Sequence, residues 1–166
     1  MNMEEINISI ARLEDLEEIL RLQKHAFRTE AEAHGNYDIE PLKQTYESIL
    51  SDFDTCVFLK AVYKGEIIGS VKYKALDDRV WLGKLIVNTS HRGRGLGKRL
   101  LAEVERNNPG AKKFQLFTAA SSLHNIRLYE SVGYRVCREY EDETQGGFLM
   151  VEMEKYVTSS FSAYSI

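Results

Sequence analysis

His91-Arg92-Gly93-Arg94-Gly95-Leu96-Gly97-Lys98-Arg99 is the stretch on which the reading of this chain turns. It follows an apolar run, Trp81-Leu82-Gly83-Lys84-Leu85-Ile86-Val87, and precedes Leu100-Leu101-Ala102-Glu103-Val104, which has helical periodicity. That order predicts a strand, a glycine-rich turn and a helix. Glycine at 93, 95 and 97 leaves a backbone with few Cβ atoms, so its N–H groups can close around an anion. The first turn of the helix adds unpaired N–H donors and the positive end of the helix dipole. Arg92, Arg94, Lys98 and Arg99 contribute mobile positive charge. Such a loop suits phosphate.

Spacing narrows the ligand. A P-loop needs Gly-x-x-x-x-Gly-Lys-[Ser/Thr], but Arg99 follows Gly97-Lys98 and Arg92 stands five before Gly97. The dinucleotide fingerprint Gly-x-Gly-x-x-Gly, begun at Gly93, needs glycine where Lys98 stands. The pattern that fits is Arg-x-x-Gly-x-Gly, running from Arg92 to Gly97. It resembles the acetyl-coenzyme A loop of the GCN5-related N-acetyltransferase (GNAT) superfamily. A basic helix N-terminus with glycines for turning is the plainer reading of the same residues.

A second segment, Asn125-Ile126-Arg127-Leu128-Tyr129-Glu130-Ser131-Val132-Gly133-Tyr134, is similar to the later GNAT motif, in which a helix carries Leu-Tyr and ends at Gly-Phe or Gly-Tyr. Gly133 suits a helix C-terminus and Tyr134 a first strand residue. Leu128 and Val132 share one helix face and are expected in the core. The two motifs stand in the family's order, separated by the short strand Lys113–Thr118.

Length and composition set the frame. The chain has 166 residues, 43% of them hydrophobic, with two prolines, which is enough for one substantial core. A net charge of −3 argues against a general nucleic-acid binder despite the local basic loop. No apolar run approaches the roughly 20 residues of a membrane span, and Met1-Asn2-Met3-Glu4-Glu5 is unlike a signal sequence. Cys56 and Cys137 sit singly in apolar stretches and read as reduced, buried thiols of a cytoplasmic protein. Neither cysteine has metal-ligand spacing, and the four histidines form no recognisable site, so no metal is expected.

Alternating Ile6, Ile8 and Ile10 predict a first strand, and Leu13, Leu16, Ile19, Leu20 and Ala26-Phe27 a helix. Residues 30–38, polar and containing Gly35-Asn36, read as a loop, and Pro41 opens a helix through about Leu50. Residues 56–63 and 67–74 form a hairpin about Lys64-Gly65, and 79–87 extends the meander. A helix over 97–107, a strand over 113–118, a helix over 123–132 and strands near 134–141 and 147–155 follow. This predicts an α/β mixed sheet with helices on both faces. Residues 1–156 form a single domain, and 157–166 is a Ser-rich, aromatic tail.

The resemblance implies the GNAT fold, an acyl-CoA N-acyltransferase architecture with a six- or seven-stranded mixed sheet splayed between strands 4 and 5. In that fold strand 4 carries a bulge. Pantetheine then lies as a pseudo-strand against Leu85, Ile86 and Val87. Gly83 suits either the bulge or close packing. The resemblance further implies an N-acetyltransferase that moves the acetyl group of acetyl-CoA to a primary amine of a small molecule or peptide by direct attack in a ternary complex. Arg92, Gly93, Arg94, Gly95, Leu96, Gly97 and Lys98 would hold its pyrophosphate. Tyr129 matches the tyrosine that protonates the departing thiolate in many members, and a core tyrosine with a local partner is the alternative.

Two departures from the family stand out. The asparagine seven residues before the tyrosine is Ser122 here, while Asn125 stands four before it and either meets the cofactor or bonds locally. Ser121 or Ser122 suits the N-cap of this helix. The family's strand-4 glutamate is also missing from Trp81–Val87, which leaves a water chain or Glu30, Glu32 or Glu139 as base. That gap keeps open a non-catalytic acyl-CoA-binding sensor or interaction module. The acidic run Glu139–Glu143 is either a rim for a cationic acceptor or a solvated hairpin tip. Phe27, His34, Tyr37 and Tyr46 are placed on the opposite wall by fold analogy. Homodimers are frequent in the family, and Phe161 and Tyr164 are compatible with one.

Overall fold

Two tight turns, at residues 64–65 and 77–78, fold the stretch 57–87 into an antiparallel meander. The computed structural model describes residues 2–145 and 147–157. Strand β1 (Asn7–Ile10) is followed by helices α1 (Leu16–His34), α2 (Glu40–Lys43) and α3 (Tyr46–Thr55), then by β2 (Val57–Tyr63), β3 (Glu66–Leu76) and β4 (Arg79–Val87). Lys64 (φ 49°) and Gly65 (φ 80°) turn the β2–β3 hairpin, both in the left-handed region that matches the twist of the flanking strands. Helix α4 (Leu96–Arg106) crosses to β5 (Lys113–Ala119), and α5 (Leu123–Ser131) leads to β6 (Arg135–Asp142) and β7 (Phe148–Tyr156). Among the described residues the sheet has seven strands in the order β1-β2-β3-β4-β5-β7-β6. Every pairing is antiparallel except β4 with β5.

That parallel pair creates the site. Its register runs from Arg79 opposite Lys113 to Leu82 opposite Leu116 and stops, although β4 continues to Val87 and β5 to Ala119. Beyond Leu82 the strands diverge, and the β4 edge is left without a partner strand. On its other side β4 bulges: Ser70 pairs with Ile86, but Lys72 pairs with Gly83, so Lys84 and Leu85 together oppose Val71. Lys84 takes a φ of 48° to make the bulge, while a side chain at Gly83 would meet Lys72 Cε at 3.1 Å. Gly83 itself stays paired with Lys72 beside the bulge, so of its two readings close packing against the Lys72 side chain is the one that fits.

Two cores flank the sheet. Leu16, Ile19, Leu20, Leu22 and Ala26 of α1 and Ile49 of α3 pack against Phe58, Ile67 and Ile86. On the other face Leu96, Leu100, Leu101 and Val104 of α4 and Tyr129 of α5 pack against Leu59, Val71, Phe114 and Met153. The four α4 side chains recur at helical spacing, and burying each contributes about 1.5–3 kcal/mol.

Some expectations give way. Residues 30–34 are not loop: Glu30-Ala31-Glu32-Ala33 continues α1, which ends at Gly35 in the left-handed region (φ 68°). The helix expected from Pro41 is two helices, because Thr45 caps α3 by accepting from the Ser48 N–H at 3.1 Å. Cys137 is exposed and Cys56 half-buried, so neither is a buried core thiol. Arg99 belongs to the framework rather than to the anion loop, donating to the Met3 and Ile6 carbonyls at 2.7 and 3.2 Å. The tail expectation, including Phe161 and Tyr164, lies outside the described residues except for Val157.

Candidate active site

The glycine loop and the splayed strand border a cavity of about 570 Å³. Gly93 (φ 76°) and Gly95 (φ 81°) make the turn, and Gly95 stands at the N-cap of α4 with no side chain to occupy the helix end. The N–H groups of that first turn have no acceptor within the helix. Gly97 serves differently, since a methyl there would meet Leu128 Cδ2 of α5 at 3.1 Å. Leu85, Ile86, Val87, Arg92, Gly93, Gly95, Leu96, Gly97, Lys98 and Asn125 all line this cavity. Arg94 does not line it. A phosphate-bearing, extended ligand fits this donor set: positive dipole and side chains at one end, unpaired β4 backbone along its length.

A second cavity, about 360 Å³, opens on the other side of the β4 bulge. Phe27, Glu30, Leu85 and Asn125 line both, so the two spaces meet at those four side chains. Tyr129 lines the second, with its ring edge-on to Tyr134 at 5.9 Å between centroids. It is buried, and among the described residues its hydroxyl makes no hydrogen bond. Burial pushes the phenol pKa well above its ordinary value, and the Glu30 charge adds to the effect. Tyr129 therefore keeps its proton at neutral pH.

Tertiary structure also brings in residues that no motif marks. Lys84 projects from the bulge into the second cavity, where its Nζ donates to both carboxylate oxygens of Glu40 at 2.9 Å and to Gln44 Oε1 at 2.6 Å. Burial lowers its pKa; the Glu40 hydrogen bond and charge oppose that shift without cancelling it. Gln44 also accepts from buried Gln23 at 2.9 Å and donates to Asp52 Oδ2 at 2.8 Å. Lys72, another cavity residue, pairs with the same Asp52 oxygen at 2.9 Å. Burial pushes the Asp52 carboxyl up, but hydrogen bonds from Lys72 and Gln44 outweigh it and hold it below the usual carboxylate range.

Of the three carboxylates proposed from sequence as a base, Glu30 alone borders a cavity. Ser122, at the N-cap of α5, makes no capping bond there; its Oγ donates instead to Glu30 Oε1. The acidic run 139–143 lines neither cavity, nor do Tyr37 and Tyr46. The second cavity takes its far wall from Asn36, Ile39, Glu40 and Pro41. Among the described residues no group of His, Cys, Asp and Glu is arranged to hold a metal, and no helix is long and apolar enough to cross a membrane.

Residues 14–134 match the model of the acetyltransferase (GNAT) family. The chain belongs to that family. It is similar to the spermine/spermidine N(1)-acetyltransferase of Bacillus subtilis, 27% identical over 52% of this chain and 66% of the relative. N-acetylaspartate synthetase of Danio rerio is 33% identical over 59% of this chain and 36% of its own length. The chain thus spans just under two thirds of the first relative and about a third of the second. The fold matches the PaiA N-acetyltransferase of Thermoplasma acidophilum in complex with coenzyme A (TM-score 0.74, 21% identity, 92% of this chain and 99% of that one). It also matches the ribosomal-protein-S18-alanine N-acetyltransferase of Escherichia coli (TM-score 0.75, 17% identity, 93% and 96%). The splayed seven-stranded sheet is therefore the GNAT architecture.

Proposed function

We propose that this GNAT protein transfers the acetyl group of acetyl-CoA to a primary amine of a small molecule or peptide by direct attack within a ternary complex. The observation that carries the reading is the junction of two cavities beside the β4 bulge, one fitted for the donor and the other open to an acceptor. The α4 N-terminus, Arg92 and Lys98 bind pyrophosphate, and the free β4 edge at Leu85–Val87 aligns the pantetheine amides. Two reactants held at one junction turn a bimolecular step into an effectively unimolecular one. A β4 N–H at the bulge donates to the developing oxyanion. Tyr129, kept protonated by burial, gives its proton to the departing sulfur.

Lys84 at the bulge favours one competing reading. A lysine stands in the strand region where many family members place a glutamate, as it would in an acyl-CoA sensor without catalysis. Acetyl-CoA consumption over a panel of polyamines, amino acids and peptide amines separates the two. Turnover of any amine supports the transferase; tight coenzyme A binding with no turnover across the panel supports the sensor.

A further inference from the structure

The acetyl transfer proposed above needs a group that takes a proton from the attacking nitrogen, and β4 supplies no carboxylate. Two carboxylates line the acceptor cavity, Glu30 and Glu40. Glu40 is ion-paired with Lys84 through both oxygens, and Lys84 also donates to Gln44, so these two charges are committed to each other. Glu30 makes no ion pair among the described residues. It projects from a helical turn of α1 to the junction of both cavities, facing Ser122, Asn125 and Tyr129 across the gap. Ser122 spends its hydroxyl on one Glu30 oxygen instead of capping its own helix, which orients the carboxylate and leaves the second oxygen for another donor.

We propose that Glu30 is the general base of the reaction, with Ser122 as its positioning residue. As the amine nitrogen bonds to the thioester carbon, the carbonyl π pair moves to oxygen and one N–H proton passes to Glu30. The oxygen pair then re-forms the carbonyl, the C–S bond breaks, and sulfur leaves with that bond pair and takes the Tyr129 proton. The products are the amide and the free thiol. Tyr129 is left as a phenolate facing a protonated Glu30, and return of that proton restores both groups. The electrostatic contact between Glu30 and Tyr129 fits this circuit, since a charged Glu30 helps burial hold the phenol protonated, and the amine proton removes that charge before sulfur departs.

The inference rests on the acetyltransferase reading, and chemical rescue tests it separately. Glu30→Gln, Glu30→Ala and Ser122→Ala are compared with wild type on the best amine of the panel, with coenzyme A binding followed by calorimetry. Both Glu30 variants are expected to lose about a hundredfold in kcat while KM for acetyl-CoA stays within about twofold. Added formate restores Glu30→Ala by about tenfold, its carboxylate entering the vacated space, and leaves Glu30→Gln unchanged. Ser122→Ala loses less and falls in kcat. Retained kcat in Glu30→Gln, a loss confined to KM, or no formate rescue of Glu30→Ala overturns the assignment while wild-type turnover keeps the transferase reading intact. Wild type that binds coenzyme A but acetylates no amine overturns both.

Discussion

Tyr129→Phe separates chemistry from architecture, because the structure assigns the hydroxyl no structural duty. The residue is 8% exposed, its ring packs edge-on against Tyr134, and no protein group bonds its oxygen among the described residues. Phenylalanine keeps the ring contacts and orphans no partner, so unfolding free energy should change by less than about 0.5 kcal/mol. Proton donation to a leaving group is worth roughly 10²–10⁴ in rate, or about 3–5 kcal/mol of barrier. The variant should therefore melt like wild type, bind coenzyme A equally well, and turn over at least about a hundredfold more slowly. Thiol release with saturating acetyl-CoA and amine measures kcat, and a urea titration measures stability. Because burial raises the phenol pKa, wild-type kcat should show no loss from this group up to about pH 10. Unchanged kcat, or a loss of stability matching the loss of rate, would refute the donor role.

Further expectations concern the framework. Gly95→Ala meets no atom within 4 Å but must hold φ near 81°, so the cost is purely backbone strain, about 1–2 kcal/mol. Chemical denaturation should show that loss and calorimetry a weaker coenzyme A complex; wild-type behaviour on both counts would mean the loop relaxes freely. Asp52 is held below the usual carboxylate range, so its contribution is present above its unfolded pKa near 3.8 and lost as pH falls through the lower folded value. The stability advantage of wild type over Asp52→Asn should thus be largest near about pH 6 and shrink toward about pH 2. An advantage independent of pH would show that the Asp52 charge is not responsible.

Local periodicity and turn chemistry carried most of the fold. Alternating Ile residues, the Lys64-Gly65 turn and the spaced leucines of α4 each act within a few residues, so they are readable one element at a time. Where readings slipped, a local competitor decided: Ala31 and Ala33 extended α1 through an apparently polar loop, and Thr45 restarted a helix that Pro41 had opened. Ser122 was readable as an N-cap position, but its hydroxyl has a partner 92 residues away that capping rules do not see.

By itself the sequence determined the donor side. Glycines 93, 95 and 97 and the basic residues among them form one contiguous loop, and contiguity is enough because the proposed anion site is made of backbone N–H groups and a helix end. The acceptor side was decided only in three dimensions. The end of β4–β5 pairing at Leu82 opens the sheet, the β4 bulge turns Lys84 inward, and α1 delivers Glu30 to the gap. Those residues come from separate elements with no shared spacing, and only the divergence of two strands sets them around one space.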